Sequence, residues 1–197
     1  MRVDDDEDAE QPMTTVFLSG SRKITRLAEE VRQRIDTMIE KDLRIITGDA
    51  NGADRAMQAH LAERQYSKVV IYFVGDAPRN NVGNWSTNRV ATDKRLSGRD
   101  FYAQKDRAMS KIADYGFVVW DGKSAGSVQN MLWLLQEGKP IVVYFGPERT
   151  FFNFRSEEEL VELLTRCKDE VIDELARKIS LPVGLKKSSR HQPTLNL

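Results

Sequence analysis

Hydrophobic runs of five or six residues alternate with amphipathic stretches along most of this 197-residue chain. The runs hold few polar positions, which is typical of strands that helices cover on both faces. They predict five strands, at about 14–19, 43–47, 68–74, 115–120 and 141–145. Apolar residues at helical spacing predict helices near 25–41, 51–64, 101–113 and 124–137. This alternation indicates an α/β fold, with a doubly wound, mostly parallel sheet and helices on both faces.

Two stretches depart from this alternation. The segment from Gly75 to Asp100 is rich in Gly, Pro and Asn and has only scattered apolar positions. A connection of that length inside a compact domain is usually a functional loop or a lid. Further on, Ser156-Glu157-Glu158-Glu159 is a capping box, and apolar positions at helical spacing follow it as far as Ile179. We therefore expect a long central loop and one long C-terminal helix.

The two ends of the chain differ from the part between them. Six acidic residues among the first ten predict a disordered acidic tail over 1–13. The segment 182–197 has three basic residues and no acidic one, and it reads as a flexible basic tail. The region 14–181 is long enough for a single domain with a sizeable core.

Charge and cysteine content narrow the choice of partners and compartment. Without its two tails, the chain has 26 basic and 24 acidic residues. Duplex-binding proteins usually carry a larger basic excess, so the balance disfavours nucleic acid as a partner. The single cysteine, Cys167, fits a reducing compartment. Without an apolar run of about 20 residues or a basic, apolar leader, we expect a cytoplasmic protein with no membrane partner.

Three Gly-containing turns carry the candidate chemistry. They read Gly20-Ser21-Arg22, Gly48-Asp49-Ala50-Asn51-Gly52-Ala53-Asp54, and Asp121 to Ser127, and each follows a predicted strand and precedes a predicted helix. Strand C-termini and helix N-termini that meet at one sheet edge gather backbone N–H groups and positive dipole ends. Phosphate-bearing ligands bind at that edge in open α/β folds. The turns therefore predict a nucleotide pocket.

Individual residues of the first two turns have both a functional and a structural interpretation. Arg22 offers a planar fork for phosphate, or it is simply an exposed residue of the turn. Asp49 and Asp54 could each accept two hydrogen bonds from a ribose diol. Asp54 could instead complement the dipole of the helix that Asn51 is expected to cap.

The third turn and a neighbouring helix add further candidates. Gly122, Gly126 and Ser127 belong to a small, hydroxyl-rich loop suited to phosphate, although it is not a P-loop. On the helix near 101–113, Lys105 and Arg107 are two residues apart and cannot share a face, so one should point to solvent. Arg107 is our candidate phosphate contact, with a solvated charged face as the alternative.

Two aromatic residues each have two possible roles. Trp85 in the long loop could stack on a nucleobase or could simply pin the loop to the domain. Tyr102 presents the same two possibilities. No His, Cys or carboxylate cluster has metal-ligand spacing, so we expect no metal site and no required cofactor beyond a possible nucleotide-type ligand.

The motifs occur in an order that resembles proteins of the SLOG superfamily. They are Leu18 to Arg22, Thr47 to Ala56, the helix with Lys105-Asp106-Arg107 and Met109, and Ala125-Gly126-Ser127. The resemblance covers about residues 14–145 and is nearest to the YspA group of YpsA-related proteins. It implies a Rossmann-like fold, a nucleotide or NAD-derived ligand and, by analogy with the related LOG enzymes, a homodimer. The dimer is expected to pair through helices such as 124–137.

Carried over position by position, the resemblance implies a pocket formed by Gly20, Ser21, Arg22, Gly48, Asp49, Asp54, Arg107, Gly126 and Ser127. The turns themselves add Asn51, Gly52, Asp121 and Gly122. One departure from the family bears on catalysis. LOG enzymes follow their Gly-Thr with a catalytic Glu, whereas Gly126-Ser127 is followed by Val128, Gln129 and Asn130. A neutral amide cannot stabilise the oxocarbenium-like state of N-glycosidic cleavage.

Three functional hypotheses follow. The first is a sensor or ligand-binding module for a nucleotide, NAD or ADP-ribose. The second is a nucleoside-monophosphate N-glycosidase (phosphoribohydrolase) or ribosyl-transfer enzyme, in which Asp49, Asp54 or Asp121 would replace the missing glutamate. The third is single-stranded DNA binding, because the DNA-uptake protein DprA also has a SLOG-type fold. The near-neutral charge of the domain ranks it last.

Overall fold

The computed structural model describes residues 13–93, 95–182 and 184–185. Most of the expected tails, 1–13 and 182–197, lies outside these residues. The strands are β1 Thr15–Gly20, β2 Arg44–Gly48, β3 Val69–Phe73, β4 Ser86–Arg89, β5 Tyr115–Trp120, β6 Ile141–Phe145 and β7 Thr150–Phe154. The helices are α1 Glu29–Glu40, α2 Ala53–Glu63, α3 Gly98–Ile112, α4 Ala125–Gln136, α5 Glu157–Leu164 and α6 Asp169–Ala176.

The strands form one sheet in the order β4-β3-β2-β1-β5-β6-β7. Neighbouring strands are parallel except β6 and β7, which are antiparallel. From β1 the chain builds outward through β2, β3 and β4, and it then returns to the other side of β1 with β5. The C-terminal ends of β1 and β5 therefore lie side by side, with Gly20 in register with Val119. In open α/β sheets, ligands bind in the crevice at such a reversal of strand order.

Successive residues of the central strands belong alternately to two separate hydrophobic clusters. Phe17 of β1 packs in a cluster with residues of α3, α4, α5 and α6, whereas Leu18 packs in a second cluster with residues of α1 and α2. Successive strand side chains point to opposite faces, so the sheet has helices on both sides. This covering explains why the strands read as continuous apolar runs. The α/β class with a doubly wound, mostly parallel sheet is confirmed.

The sequence prediction missed two strands and joined two helices. β4 is polar and exposed at all four positions, because it is an edge strand. β7 turns back along β6 and forms the other edge. The expected C-terminal helix begins at its capping box, where Ser156 Oγ accepts from the Glu159 N–H, but it divides into α5 and α6. The apolar spacing continues across the break, so periodicity alone could not reveal it.

Helix α4 is almost entirely covered within the chain. Eight of its twelve residues are buried, against the sheet, α3 and α5. The apolar residues of this helix therefore pack within the chain, and the dimer that the resemblance implies stays a prediction. No helix in the described part of the chain has both the length and the apolar composition needed to cross a bilayer.

Candidate functional site

A cavity of about 560 Å³ opens at the C-terminal edge of the sheet, where β1 and β5 end. Its lining comes from four parts of the chain: the segment after β1, the segment from the end of β5 to the first residues of α4, the first turns of α3, and α6 with the segment that follows it. The lining residues are Arg22, Lys23, Gly98, Arg99, Tyr102, Asp121, Lys123, Ser124, Ala125, Gly126, Glu174 and Lys178. The cavity therefore occupies the crevice that the strand order predicts.

Positive charge predominates around this cavity. Five cationic side chains line it, against the carboxylates of Asp121 and Glu174, and Glu174 already pairs with Lys178. The five cations are Arg22, Lys23, Arg99, Lys123 and Lys178. Two other cavities have similar volumes, one beyond α6 and one beside β4, but neither touches the ends of the central strands. The cavity at β1 and β5 is therefore the candidate site.

Two buried serines form part of the support of this cavity. Ser21 Oγ lies 3.0 Å from Asp121 Oδ1 and 3.1 Å from Ser127 Oγ, and it accepts a hydrogen bond from the Asp121 N–H. Ser21 and Ser127 are 0% and 2% exposed. They join the turn after β1 to the turn after β5 and do not themselves line the cavity.

Asp121 both lines the cavity and shapes the turn that surrounds it. Its Oδ1 accepts hydrogen bonds from the backbone N–H groups of Lys123 and Ser124, at 3.0 and 2.8 Å. The same oxygen is the partner of Ser21. Because three donors already meet at Oδ1, the first role of this carboxylate is to fix the loop that leads into α4.

The turn after β2 packs against the turn after β1. Gly52 precedes α2 with φ of 86°, and a Cβ there would lie 2.2 Å from Arg22 O. Only glycine fits such a position, because it tolerates positive φ and close backbone approach. The expected cap by Asn51 is wrong: Gly52 is the N-cap residue, and Asn51 Oδ1 instead accepts from Asn80 Nδ2.

A cluster of buried charges lies behind Gly48. A Cβ at Gly48 would be 2.5 Å from Lys105 Nζ and 2.7 Å from Asp54 Oδ2, so glycine leaves the space that both groups occupy. Lys105 is 2% exposed and forms an ion pair with Asp106. Of Lys105 and Arg107, Arg107 is therefore the one that faces solvent, and it does not line the cavity.

The pKa values of the charged groups in and beside this cluster are shifted in different directions. Burial raises the pKa of Asp54 to about 7, although the charge of Lys105 opposes the rise. Burial alone would lower the pKa of Lys105, but the negative charges of Asp106 and Asp54 outweigh it and raise that pKa. Burial would also raise the pKa of Asp49, but hydrogen bonds from Arg79 outweigh it and hold this pKa below its usual value. Asp49 is therefore held as a carboxylate, while Asp54 titrates near neutrality.

Arg79 connects this buried cluster to the cavity. Its guanidinium binds Asp49 and also lies over the ring of Tyr102, with Cζ 4.1 Å from the ring centroid. Tyr102 in turn lines the cavity. Arg79 belongs to the long segment after β3, which the sequence marked as a functional loop without identifying this contact.

Trp85, in the same segment, is bound to the body of the domain. Its indole Nε1 donates to Tyr66 O at 2.7 Å, and its backbone N–H and C=O both bond to the Asn81 side chain. Of the two roles open for Trp85, the structure favours the one that pins the loop.

The predicted site residues divide into three groups. Arg22, Asp121 and Gly126 line the cavity. Ser21 and Ser127 support it, and Gly20, Gly52 and Gly122 allow the turns to pack closely or to adopt positive φ. Gly48, Asp49, Asn51, Asp54 and Arg107 lie elsewhere, in the buried cluster or on the surface. Arg22, Asp54 and Ser127 thus do not share one cavity.

Sequence reasoning missed several cations of the lining, among them Lys23, Lys123 and Lys178. Lys123 lies within the third turn and Lys23 directly follows the first, so both could have been chosen for their charge. Nothing in the sequence indicates that Lys178 reaches this edge. Among residues 13–93, 95–182 and 184–185, no group of three or more His, Cys, Asp or Glu side chains is placed to hold a metal ion.

Comparison with known proteins supports the fold. No protein-family model matches the sequence, and no curated protein sequence matches it. Among solved structures, the chain is similar to DNA processing protein A from Helicobacter pylori, which is described as having a unique single-stranded DNA binding mode. The match has a TM-score of 0.53 and 16% identity, and it covers 83% of this chain and 79% of that one. That likeness shows the fold alone.

The comparison identifies a distant DprA-like fold, of the Rossmann-like type that the sequence predicted. Membership of the SLOG superfamily and of its YspA branch stays a prediction. The expectation that nucleic acid is a disfavoured partner has to be corrected, since the protein that shares the fold binds single-stranded DNA. That expectation rested on total charge, which averages over the whole surface. The local excess of cations at the cavity is invisible to such an average.

Proposed function

We propose that this protein binds a phosphate-bearing nucleotide in the cavity where β1 and β5 end. The observation that carries the proposal is the convergence of Arg22, Lys23, Arg99, Lys123 and Lys178 on that cavity from distant parts of the chain. Arginine and lysine are the usual partners of phosphate, arginine as a bidentate fork and lysine as a point charge. The first residues of α4, Ala125 and Gly126, bring a helix N-terminus to the same cavity.

The size of the cavity suits a small nucleotide. Ligand sites commonly occupy about 300–1,000 Å³, and the volume of about 560 Å³ lies within that range. AMP, ADP, ADP-ribose and NAD are the ligand classes to test first. The protein would act as a sensor or as a ligand-binding module.

The arrangement of carboxylates supports binding without N-glycosidic cleavage. Asp49 and Asp54 do not line the cavity, and Asp121 Oδ1 is occupied by three donors. Glu174, the other lining carboxylate, is ion-paired with Lys178. Asn130 takes no negative charge and is 6% exposed. A phosphoribohydrolase or ribosyl-transfer activity would need a carboxylate free to stabilise an oxocarbenium-like state.

Calorimetry with the four nucleotides at low salt tests this proposal. Reversing the charge of two lining cations, as Arg22→Glu with Lys123→Glu, should weaken binding by about tenfold or more, because each contact is charge-assisted. The matched control is Lys41→Glu with Lys139→Glu, which makes the same change in net charge at the opposite edge of the sheet. The control should keep its affinity within about twofold. Absence of binding by the folded wild-type protein, or an equal loss in both double variants, would refute the proposal.

Single-stranded DNA is the second candidate ligand, because the structure that shares this fold is described as binding it. Open basic crevices also suit a nucleic-acid backbone. Fluorescence anisotropy with a labelled oligothymidine at several salt concentrations tests it. Affinity should fall linearly with salt on a log–log plot, and the Arg22→Glu, Lys123→Glu variant should flatten the slope. Binding that is absent, or independent of salt, would rule this candidate out.

A further inference from the structure

Tyr102 brings an aromatic ring into a cavity that is lined mainly by charged side chains. It contributes the one aromatic side chain among the described residues that line the cavity, where most other polar neighbours are charged. It belongs to the second turn of α3, and Gly98 and Arg99 of the first turn line the same wall. The cavity therefore combines cations suited to phosphate with a single ring suited to an aromatic partner.

The ring of Tyr102 is held in place by contacts with Arg79 and Phe101. The guanidinium of Arg79 covers one ring face at 4.1 Å, and the Phe101 ring meets Tyr102 edge to face at 5.3 Å between centroids. Arg79 cannot easily move, because its Nε, Nη2 and backbone N–H all donate to the buried carboxylate of Asp49. A ring fixed in this way loses little conformational freedom when a ligand binds to it.

We propose that Tyr102 is the platform on which the nucleobase of the ligand stacks. This inference rests on the proposed nucleotide site and names the part of the ligand that the cations do not recognise. Arg79 occupies one face of the ring, and Tyr102 also lines the cavity, so in this proposal the base stacks on the part of the ring that borders the cavity while the cations bind phosphate. The site is then selective for phosphorylated sugars that carry a base over the same sugar phosphates without one.

Stacking on an aromatic side chain has a measurable share in nucleotide affinity. Removing such a ring typically lowers the affinity for a base by roughly tenfold to a hundredfold. The loss should be confined to ligands with a base, because a sugar phosphate has nothing to stack. A role of the Tyr102 hydroxyl in phosphate binding would behave differently, since it would be lost in Tyr102→Phe and would affect both kinds of ligand.

The experiment compares AMP with ribose 5-phosphate, two ligands that share a terminal phosphate and a ribose. Calorimetry is done on the full chain as wild type, Tyr102→Phe and Tyr102→Leu. The control is Tyr115→Leu, an exposed tyrosine at the start of β5 and therefore at the far edge of the sheet. We expect Tyr102→Leu to weaken AMP binding about tenfold or more and to leave ribose 5-phosphate within about twofold. Tyr102→Phe and Tyr115→Leu should bind both ligands as wild type does.

A second variant keeps the inference testable if Tyr102→Leu does not fold. In Tyr102→Trp, AMP should quench the added indole fluorescence, whereas ribose 5-phosphate should not. A wild-type protein that binds neither ligand overturns the nucleotide site and this inference with it. Equal wild-type affinity for the two ligands, or equal losses for both in Tyr102→Leu, overturns base stacking alone and leaves the phosphate site standing.

Discussion

Asp49 and Arg79 form a bidentate ion pair that joins the turn after β2 to the long segment after β3. Arg79 Nε lies 2.9 Å from Asp49 Oδ2 and Arg79 Nη2 lies 2.6 Å from Oδ1. The carboxylate is fully buried, and the arginine side chain is 31% exposed. Asn80 adds a hydrogen bond from its Nδ2 to Asp49 O. A segment of mostly polar sequence is thereby fixed to the sheet edge.

Replacing Asp49 with asparagine should destabilise the fold. The change leaves the partly buried Arg79 guanidinium without a counter-charge, at a cost of about 2–3 kcal/mol in the free energy of unfolding. Urea denaturation measures this. Asp76→Asn is the matched control, because Asp76 pairs with Arg89 in the same segment but is fully exposed. That variant should lie within about 0.5 kcal/mol of wild type, and comparable losses in the two variants would contradict the prediction.

Alanine at Gly48 should be harmful despite its small size. Its methyl group would meet Lys105 Nζ and Asp54 Oδ2, and Lys105 cannot withdraw without leaving its carboxylate partners. We expect a loss of about 1–3 kcal/mol in the free energy of unfolding, as for other overpacked sites. At Gly126, inside α4, the nearest atom to an added Cβ is 4.0 Å away. Gly126→Ala should therefore stabilise the protein slightly, and thermal denaturation of both variants should show opposite shifts.

The raised pKa of Asp54 predicts a pH dependence of stability. The folded state holds the proton up to about pH 7, whereas the unfolded carboxyl releases it near the ordinary aspartate pKa of 3.8. Between these values the folded state binds more protons, so the contribution of this group is complete below about pH 4 and is lost as pH rises towards 7. Asn at position 54 cannot ionise and removes that loss.

Urea denaturation near pH 5 and near pH 8 tests this sign. Relative to wild type, Asp54→Asn should gain about 2 kcal/mol of stability between the two conditions. The control is Asp173→Asn, which makes the same chemical change at an exposed position of α6. A relative stability of Asp54→Asn that stays constant, or that decreases with pH, would show that the sign is wrong.

Phenylalanine at position 85 should loosen the loop without affecting the ligand. Trp85→Phe removes the hydrogen bond from the indole to Tyr66 O, which should cost about 1 kcal/mol in the free energy of unfolding. Trp85 does not line the candidate cavity, so AMP affinity should be unchanged. A specific loss of AMP binding in this variant would assign Trp85 the base-stacking role instead of Tyr102.

The limits of the strands could be predicted from the sequence wherever both faces of the strand are buried. β5 and β6 have the predicted limits, because Val118 and Val143 lie in runs that helices cover on both faces. β4 was invisible because an exposed edge strand such as Ser86–Arg89 needs no hydrophobic signal. The order of strands also could not be derived, since hydrophobic runs do not say which strand lies beside β1.

The site was predictable in its location and less so in its members. The Gly-containing turns after β1 and β5 lie at the edge where the candidate cavity opens. Pairing across that edge depends on tertiary structure: Ser21 and Asp121 are 100 residues apart, and Asp49 meets an arginine 30 residues away. Charge alone could not show that Lys105 is buried while Arg107 is exposed, because both sit on a polar stretch of α3.

The three donors that meet at Asp121 Oδ1 have a practical consequence for mutagenesis. A substitution that removes this oxygen, such as Asp121→Ala, releases two backbone amides and a serine hydroxyl together, so the loop that leads into α4 would rearrange even without a ligand. Loss of ligand binding in such a variant would therefore reflect a rearranged loop before α4. It should not be taken as evidence that Asp121 is a catalytic group.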